Sequence, residues 1–162
     1  MPSEKKQKII AVCGVKNSGK TALLVKLVQN LTARGIKTAV IKHDGHDFDC
    51  DIEGTDSCRM KEAGAYGTAV FSENRIFVHK TGTREKDKEL ISVFPEADII
   101  FLEGMKESDY PKIEVIRKAV SERPVSNPEG RFLIVTDWEA EGFAEPVKGM
   151  EQIDEIVELI LE

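Results

Sequence analysis

The octapeptide "GVKNSGKT", Gly14 to Thr21, fits the pattern G-x-x-x-x-G-K-[ST]. Glycines at Gly14 and Gly19 let a backbone wrap with its N–H groups pointing inward, and such a concavity holds an anion. If a helix begins at the end of the loop, its N-terminus adds positive partial charge. In that arrangement Lys20 reaches the β- and γ-phosphates of a nucleotide while the Thr21 hydroxyl holds Mg²⁺. The alternative is a plain glycine turn carrying surface lysines. A second cluster, "KHDGHDFDCD" from Lys42 to Asp51, crowds His43, His46, four aspartates and Cys50 into one stretch. Histidines at i and i+3 with carboxylates and a thiol can bind a transition metal, but a closed structural site takes four ligands, and no second Cys/His cluster supplies the rest. A solvated polar loop is another reading. The position favours a third: a loop beside the phosphates or a second substrate, with acids on Mg²⁺ and Lys42 and the histidines facing anions.

The elements that must position these residues are readable from periodicity. "KIIAVCG" is a β-branched run of the kind buried on both faces of a parallel sheet. Leu23, Leu24, Leu27, Val28 and Leu31 recur at helical spacing, Gly35 stops that helix, and "KTAVIKH" is the next strand. This strand–helix–strand unit implies a parallel pair with a right-handed crossover. Further on, "TDSCRMKEAGA" reads as a helix capped by Thr55 and ended by Gly64. "GTAVFS" and "RIFVHK" read as a hairpin turning at Glu73-Asn74. Thr83 can cap a helix reaching Phe94, before Pro95. "ADIIFLEG", "KIEVIRK" and "RFLIVTD" are strands, and Ile153, Ile156, Val157, Ile160 and Leu161 make the apolar stripe of a last helix. The sum is one α/β domain over residues 1–162, a three-layer P-loop NTPase fold with a mostly parallel sheet, helices on both faces and a β-hairpin insertion.

Ligands gather beyond the carboxyl ends of parallel strands. Glu103, which ends "ADIIFLEG", is therefore the candidate for Mg²⁺ or an attacking water, with Gly104 allowing close backbone approach; Asp98, at the other end, is a strand-end residue. No N-K-x-D guanine motif occurs. Asp137 ends a late strand, where a carboxylate can accept hydrogen bonds from guanine N1–H and the 2-amino group, a donor pair adenine lacks. A turn residue is the alternative. Lys106, Lys112 and Arg117 form an anion-binding patch or are plain surface charge. Trp138 is read as packing and Cys13 as core.

Composition excludes several classes. Hydrophobic residues are 41% and charged residues 32% of the 162, the profile of a soluble protein. The formal charge is −6, with nine acids against Lys148 alone from Asp137 onward, so the rest is near +2. No global basic field for nucleic acid is present. The acidic end reads most simply as a solvated helix face, with docking of a basic partner as the other reading. The apolar runs are too short to cross a bilayer, and "MPSEKKQK" does not look like a secretory signal. Cys13, Cys50 and Cys58 contain no CxxC pair, which fits a reducing cytoplasm.

"GVKNSGKT", "KHDGHDFDCDIEGTDSCRMKEAGA" and "FLEGMKESDYPKIEVIR" together resemble, in order over roughly residues 8–137, the molybdopterin-guanine dinucleotide biosynthesis protein B family. The resemblance implies a dimeric, switch-operated P-loop GTP-binding protein with at most slow Mg²⁺-dependent GTPase activity. It implies a molybdenum cofactor guanylyltransferase as partner and molybdopterin as a shared ligand. Carried onto this chain, Gly14, Lys16, Asn17, Ser18, Gly19, Lys20 and Thr21 cradle phosphates. Asp49, Asp51 and Glu103 join Thr21 in the Mg²⁺ environment, and His43 and His46 belong to the switch-like loop. Related dimeric P-loop proteins often carry a lysine directly after the first glycine; here Val15 holds that place and Lys16 follows. Two rival functions are a nickel metallochaperone GTPase, which would carry longer His tracts or paired Cys ligands, and a small-molecule kinase. The kinase would need an arginine-rich lid, and Arg59, Arg75, Arg84 and Arg117 are scattered.

Overall fold

The computed structural model describes residues 6–82 and 86–162, without the side chain of Lys86. In chain order the elements are β1 (Lys8–Cys13), α1 (Lys20–Ala33), β2 (Thr38–Lys42), α2 (Asp56–Glu62), β3 (Gly67–Phe71), β4 (Ile76–Lys80), α3 (Lys86–Ile91), β5 (Ile99–Glu103), β6 (Lys112–Val115), β7 (Arg131–Thr136), β8 (Val147–Gly149) and α4 (Ile153–Leu161). They form two compact units, one comprising the chain up to His43 with Leu90–Glu162, the other Asp44–Glu89.

The larger unit is a six-stranded sheet in the order β2-β5-β1-β6-β7-β8, and every pairing in it is parallel. The mostly parallel sheet that the sequence predicts is thus present. Alternation along the strands supplies two apolar faces. Ile10, Val12, Ile99, Phe101, Ile113, Val115, Leu133 and Val135 pack with Leu23, Leu24, Leu27 and Leu31 of α1 and Ile156, Val157 and Ile160 of α4. Ala11, Cys13, Ile100 and Leu102 face the other way, against Ile91 at the end of α3 and Ala97, Met105 and Tyr110 from loops. The helix α1 ends as its glycine predicts. Gly35 takes φ +75°, its N–H donates to Thr32 O, and the Ile36 N–H donates to Leu31 O, which closes a Schellman turn.

Three expectations need adjusting. The helix read up to Phe94 ends at Ile91 and gives way to tighter turns, in which the Val93 and Phe94 N–H groups donate to Leu90 O and Ile91 O; its proposed cap, Thr83, lies outside the described residues. The short β8 was not expected, since three residues carry too little periodicity to register. Lys112 is no surface cation: it is fully buried, and its ammonium donates to the carbonyls of Ser108, Tyr110 and Glu129. Two residues along the same strand, buried Glu114 accepts the N–H groups of Val125 and Ser126. Both charges of "KIEV" are spent on holding loop backbone that would otherwise be buried unpaired.

The acidic C-terminal segment is used within the fold rather than only solvated. Glu151 pairs with Lys26 at 2.7 Å, and Asp154 and Glu158 pair with Arg34. In the smaller unit, Thr55 caps α2 by accepting the Cys58 N–H, and β3 and β4 form an antiparallel hairpin with Phe71 opposite Ile76. No helix among the described residues is long and apolar enough to cross a membrane.

Leu27 is fully buried between α1 and the sheet. Leu27→Ala is therefore expected to cost about 2–5 kcal/mol of unfolding free energy, read from urea titration. Hydrogen bonds from Asn30 and Arg34 hold the Asp154 carboxyl below its ordinary 3.8. A depressed folded value stabilises above the unfolded one and is lost as the pH falls. Below about pH 4, stability should therefore fall less steeply in Asp154→Asn than in the parent, as measured by urea titration at each pH.

Candidate functional site

β1 is flanked by β5 on one side and β6 on the other, and its crossover runs towards β2 while that of β6 runs towards β7. The carboxyl end of β1 is thus a topological switch point, where a crevice opens in sheets of this kind. The loop Gly14–Thr21 leaves the sheet there. Gly14 adopts φ +142°, and a Cβ on it would stand 2.3 Å from the Val115 carbonyl oxygen and 2.6 Å from Ser18 Oγ. No side chain fits. Asn17 takes the left-handed conformation at φ +64°, and Gly19, at φ +101°, is the N-cap of α1. Gly19 has no side chain with which to cap the helix, and the first turn of α1 holds no acid. The N–H groups and dipole of that end thus meet no capping side chain or acid from the helix itself, which suits an external anion.

Lys20 folds back over the loop, its Nζ donating to Gly14 O at 2.9 Å and Val15 O at 2.8 Å. The Thr21 hydroxyl donates to Glu103 Oε1 at 2.9 Å. This pair joins the start of α1 to the end of β5, two oxygen groups of the kind a hard divalent cation takes. Glu103 is 8% exposed and sits level with Val12 in the sheet. Its backbone is fixed on both sides: the Glu103 carbonyl accepts the His43 N–H, and the Gly104 N–H donates to Val12 O. His43, at the end of β2, therefore adjoins Glu103. Beside it, burial and the nearby Glu114 push the Cys13 thiol up to about 12, which makes it inert packing.

Other expected residues have local partners. His46, Asp49 and Asp51 belong to the smaller unit. There the His46 N–H donates to Asp44, and Asp49 pairs with Lys61, which holds its carboxyl below the usual range. Asp51 Oδ1 accepts from Ser57 Oγ and the Ile52 N–H ahead of α2. Among the described residues no group of three or more His, Cys, Asp and Glu side chains is arranged to hold a metal ion. Lys16 and Asn17 are exposed on the rim of the loop, whereas Ser18 is fully buried and its hydroxyl has no partner. Asp98 accepts the Lys37 N–H at the opposite end of the sheet.

On the far flank of the loop lies a pocket of about 240 Å³ lined by Ser18, Gly19, Leu23, Arg117, Asp137 and Met150, among others. Asp137 follows β7, and its Oδ1 accepts the Lys118 N–H at 2.9 Å. Met150 follows β8 and leans on Gly19, where an added Cβ would meet its Cε at 2.7 Å. Arg117 and Met150 were not read as parts of this pocket. Arg117 carried only a charge to mark it, and Met150 is placed by the strand that the periodicity missed.

The family model described as molybdopterin guanine dinucleotide synthesis protein B matches residues 9–137. The molybdopterin-guanine dinucleotide biosynthesis adapter protein of Escherichia coli is 35% identical over 121 residues, covering 72% of this chain and 69% of that one. The adapter protein of the same description from Haemophilus influenzae is 32% identical over 136 residues, covering 82% and 76%. A crystal structure of Bacillus subtilis MobB has a TM-score of 0.77 at 25% identity, covering 95% of this chain and 96% of that one.

Gly14→Ala must move the Val115 carbonyl and strain the backbone as well, whereas a Cβ on Gly35 meets nothing within 4 Å. Backbone strain alone costs about 1–3 kcal/mol. Gly14→Ala is expected to lose clearly more stability than Gly35→Ala in parallel thermal and urea unfolding.

Proposed function

The chain belongs to the molybdopterin guanine dinucleotide synthesis protein B family, and from that premise we propose that it is a GTP-binding accessory protein in molybdopterin guanine dinucleotide biosynthesis. In this reading it assists, in the cytoplasm, the guanylyltransferase that joins GMP to molybdopterin, with molybdopterin as a shared ligand. The observation that carries it is the loop at the end of β1, with a lysine over the cradle and a hydroxyl–carboxylate pair at its foot. The N–H groups of Gly14 to Thr21 surround the phosphates, with Lys16 and Asn17 at the rim. Lys20 exchanges two neutral carbonyls for the β- and γ-phosphates, a stronger, charge-assisted contact. Mg²⁺ falls to Thr21 and Glu103, which are held together, and His43 adjoins them through the Glu103 carbonyl. Asp49 and Asp51 have tasks in their own unit, so this reading gives the metal to the first pair. Asp137, beside the pocket, reads the base edge.

Hydrolysis is at most slow in this reading, and Glu103 is the residue placed to orient a water near the metal. The protein acts as a homodimer. Supporting that part, the hairpin presents Phe71, Ile76 and Val78 on one exposed face, and a two-stranded sheet is marginal until its apolar face is covered.

Lys20→Ala tests the core of the proposal. Hydrogen bonds to charged groups contribute about 1.5–3 kcal/mol each, so GTP affinity in the presence of Mg²⁺ should fall at least tenfold by isothermal titration, with the variant still folded by circular dichroism. A folded variant that binds GTP as tightly as the parent overturns it. Titration of the protein with the guanylyltransferase, with and without GTP, tests the partnership.

A further inference from the structure

The pocket beside the loop has one wall whose backbone is fixed and whose side chain is not. The Arg117 carbonyl accepts the N–H groups of Val120 and Ser121, the preceding Ile116 N–H donates to Val135 O, and the following Lys118 N–H donates to Asp137. Yet the Arg117 side chain is half exposed, and its Nε stands 3.6 Å from Asp137 Oδ2. That is beyond the 2.7–2.9 Å of a charge-assisted hydrogen bond. The guanidinium is thus drawn to the pocket mouth without being locked there. Met150 forms the wall next to Gly19 and brings a soft thioether to it. Beyond it, the Lys26–Glu151 pair lies at the rim. At about 240 Å³ the space is smaller than the roughly 300–1,000 Å³ of pockets that enclose a whole drug-sized ligand. It has the scale of a flat ring, with the phosphates left to the loop.

We propose that Arg117 is a base-binding residue of a purine slot: its guanidinium plane lies on the face of the base while Asp137 accepts hydrogen bonds from the base edge. This rests on the nucleotide-binding reading above. The planar, weakly hydrated guanidinium lies flat on π-faces and is the commoner cation there, whereas a lysine ammonium meets them as a compact, strongly hydrated point charge. Stacking is indifferent to the edge of the ring, so Arg117 contributes purine affinity and Asp137 the choice among purines. An aspartate accepts from guanine N1–H and the 2-amino group; an asparagine amide can instead donate to the 2-oxo group of xanthine.

Isothermal titration with GTP, XTP, ATP and inorganic tripolyphosphate, each with Mg²⁺, tests the assignment on the parent, Arg117→Ala, Arg117→Lys and Asp137→Asn. Arg117→Ala is expected to weaken all three nucleotides about tenfold and leave tripolyphosphate unchanged, with no rescue by Arg117→Lys. Asp137→Asn is expected to weaken GTP and strengthen XTP. If Arg117 merely orients Asp137, Arg117→Ala shifts the GTP-to-XTP ratio without a common loss, which overturns the stacking role. An equal loss for tripolyphosphate, restored by lysine, makes Arg117 a phosphate contact and overturns it too. A parent that binds tripolyphosphate no worse than any nucleotide removes the slot while leaving the phosphate loop intact. A parent that binds none of the four removes both.

Discussion

At the end of β1 the chain passes so close to the last carbonyl of β6 that no carbon atom can project from Gly14. Much of the site follows from that approach. Because Gly14 turns at φ +142°, the loop closes over itself instead of running on beyond the sheet, and α1 begins within six residues of the strand. That brings the Thr21 hydroxyl down to the Glu103 carboxylate at the end of the neighbouring β5. It also leaves the Gly14 and Val15 carbonyls where Lys20 can reach them. The loop is shaped by the packing of two strands against each other, and its chemistry is a by-product of sheet geometry.

The same sheet holds its irregular loops by placing charges in the interior. Lys112 satisfies three carbonyls and Glu114 two N–H groups, all from segments that connect β5 to β6 and β6 to β7. Buried ions are costly unless every bond is made. Here the bonds are to backbone, so each ion replaces a stretch of secondary structure that these connections lack. Arg131 plays a similar part, reaching Glu145 and the Ser126 carbonyl. The connections on either side of β6 are therefore held although they contain neither helix nor strand.

How far the sequence was legible depended on the length scale of the signal. The βαβ unit, the parallel core and the Thr55 cap were visible because period, capping chemistry and glycine punctuation agreed with one another. Glu103 was placed by a topological rule alone, and the structure sets it against Thr21. In the cluster Lys42–Asp51 ligand-like residues lie side by side in sequence, and the partners of Asp49 and Asp51, Lys61 and Ser57, could not be read from that density. Lys112 looked exposed because lysine usually is, and only the carbonyls brought by distant loops explain its burial. Met150 was invisible because its position depends on β8, which is set by pairing with β7 and not by any local pattern.

The Asp44–Glu89 unit interrupts the sheet between two strands that lie side by side, β2 and β5. Their register, Thr38 against Ile99 through Lys42 against Glu103, can form only after the intervening stretch has been looped out. The entropy of closing a loop grows only slowly with its length, but pairing across a long separation delays the transition state. If the inserted unit gains order early, the effective tether between the two strands shortens and the central sheet nucleates sooner.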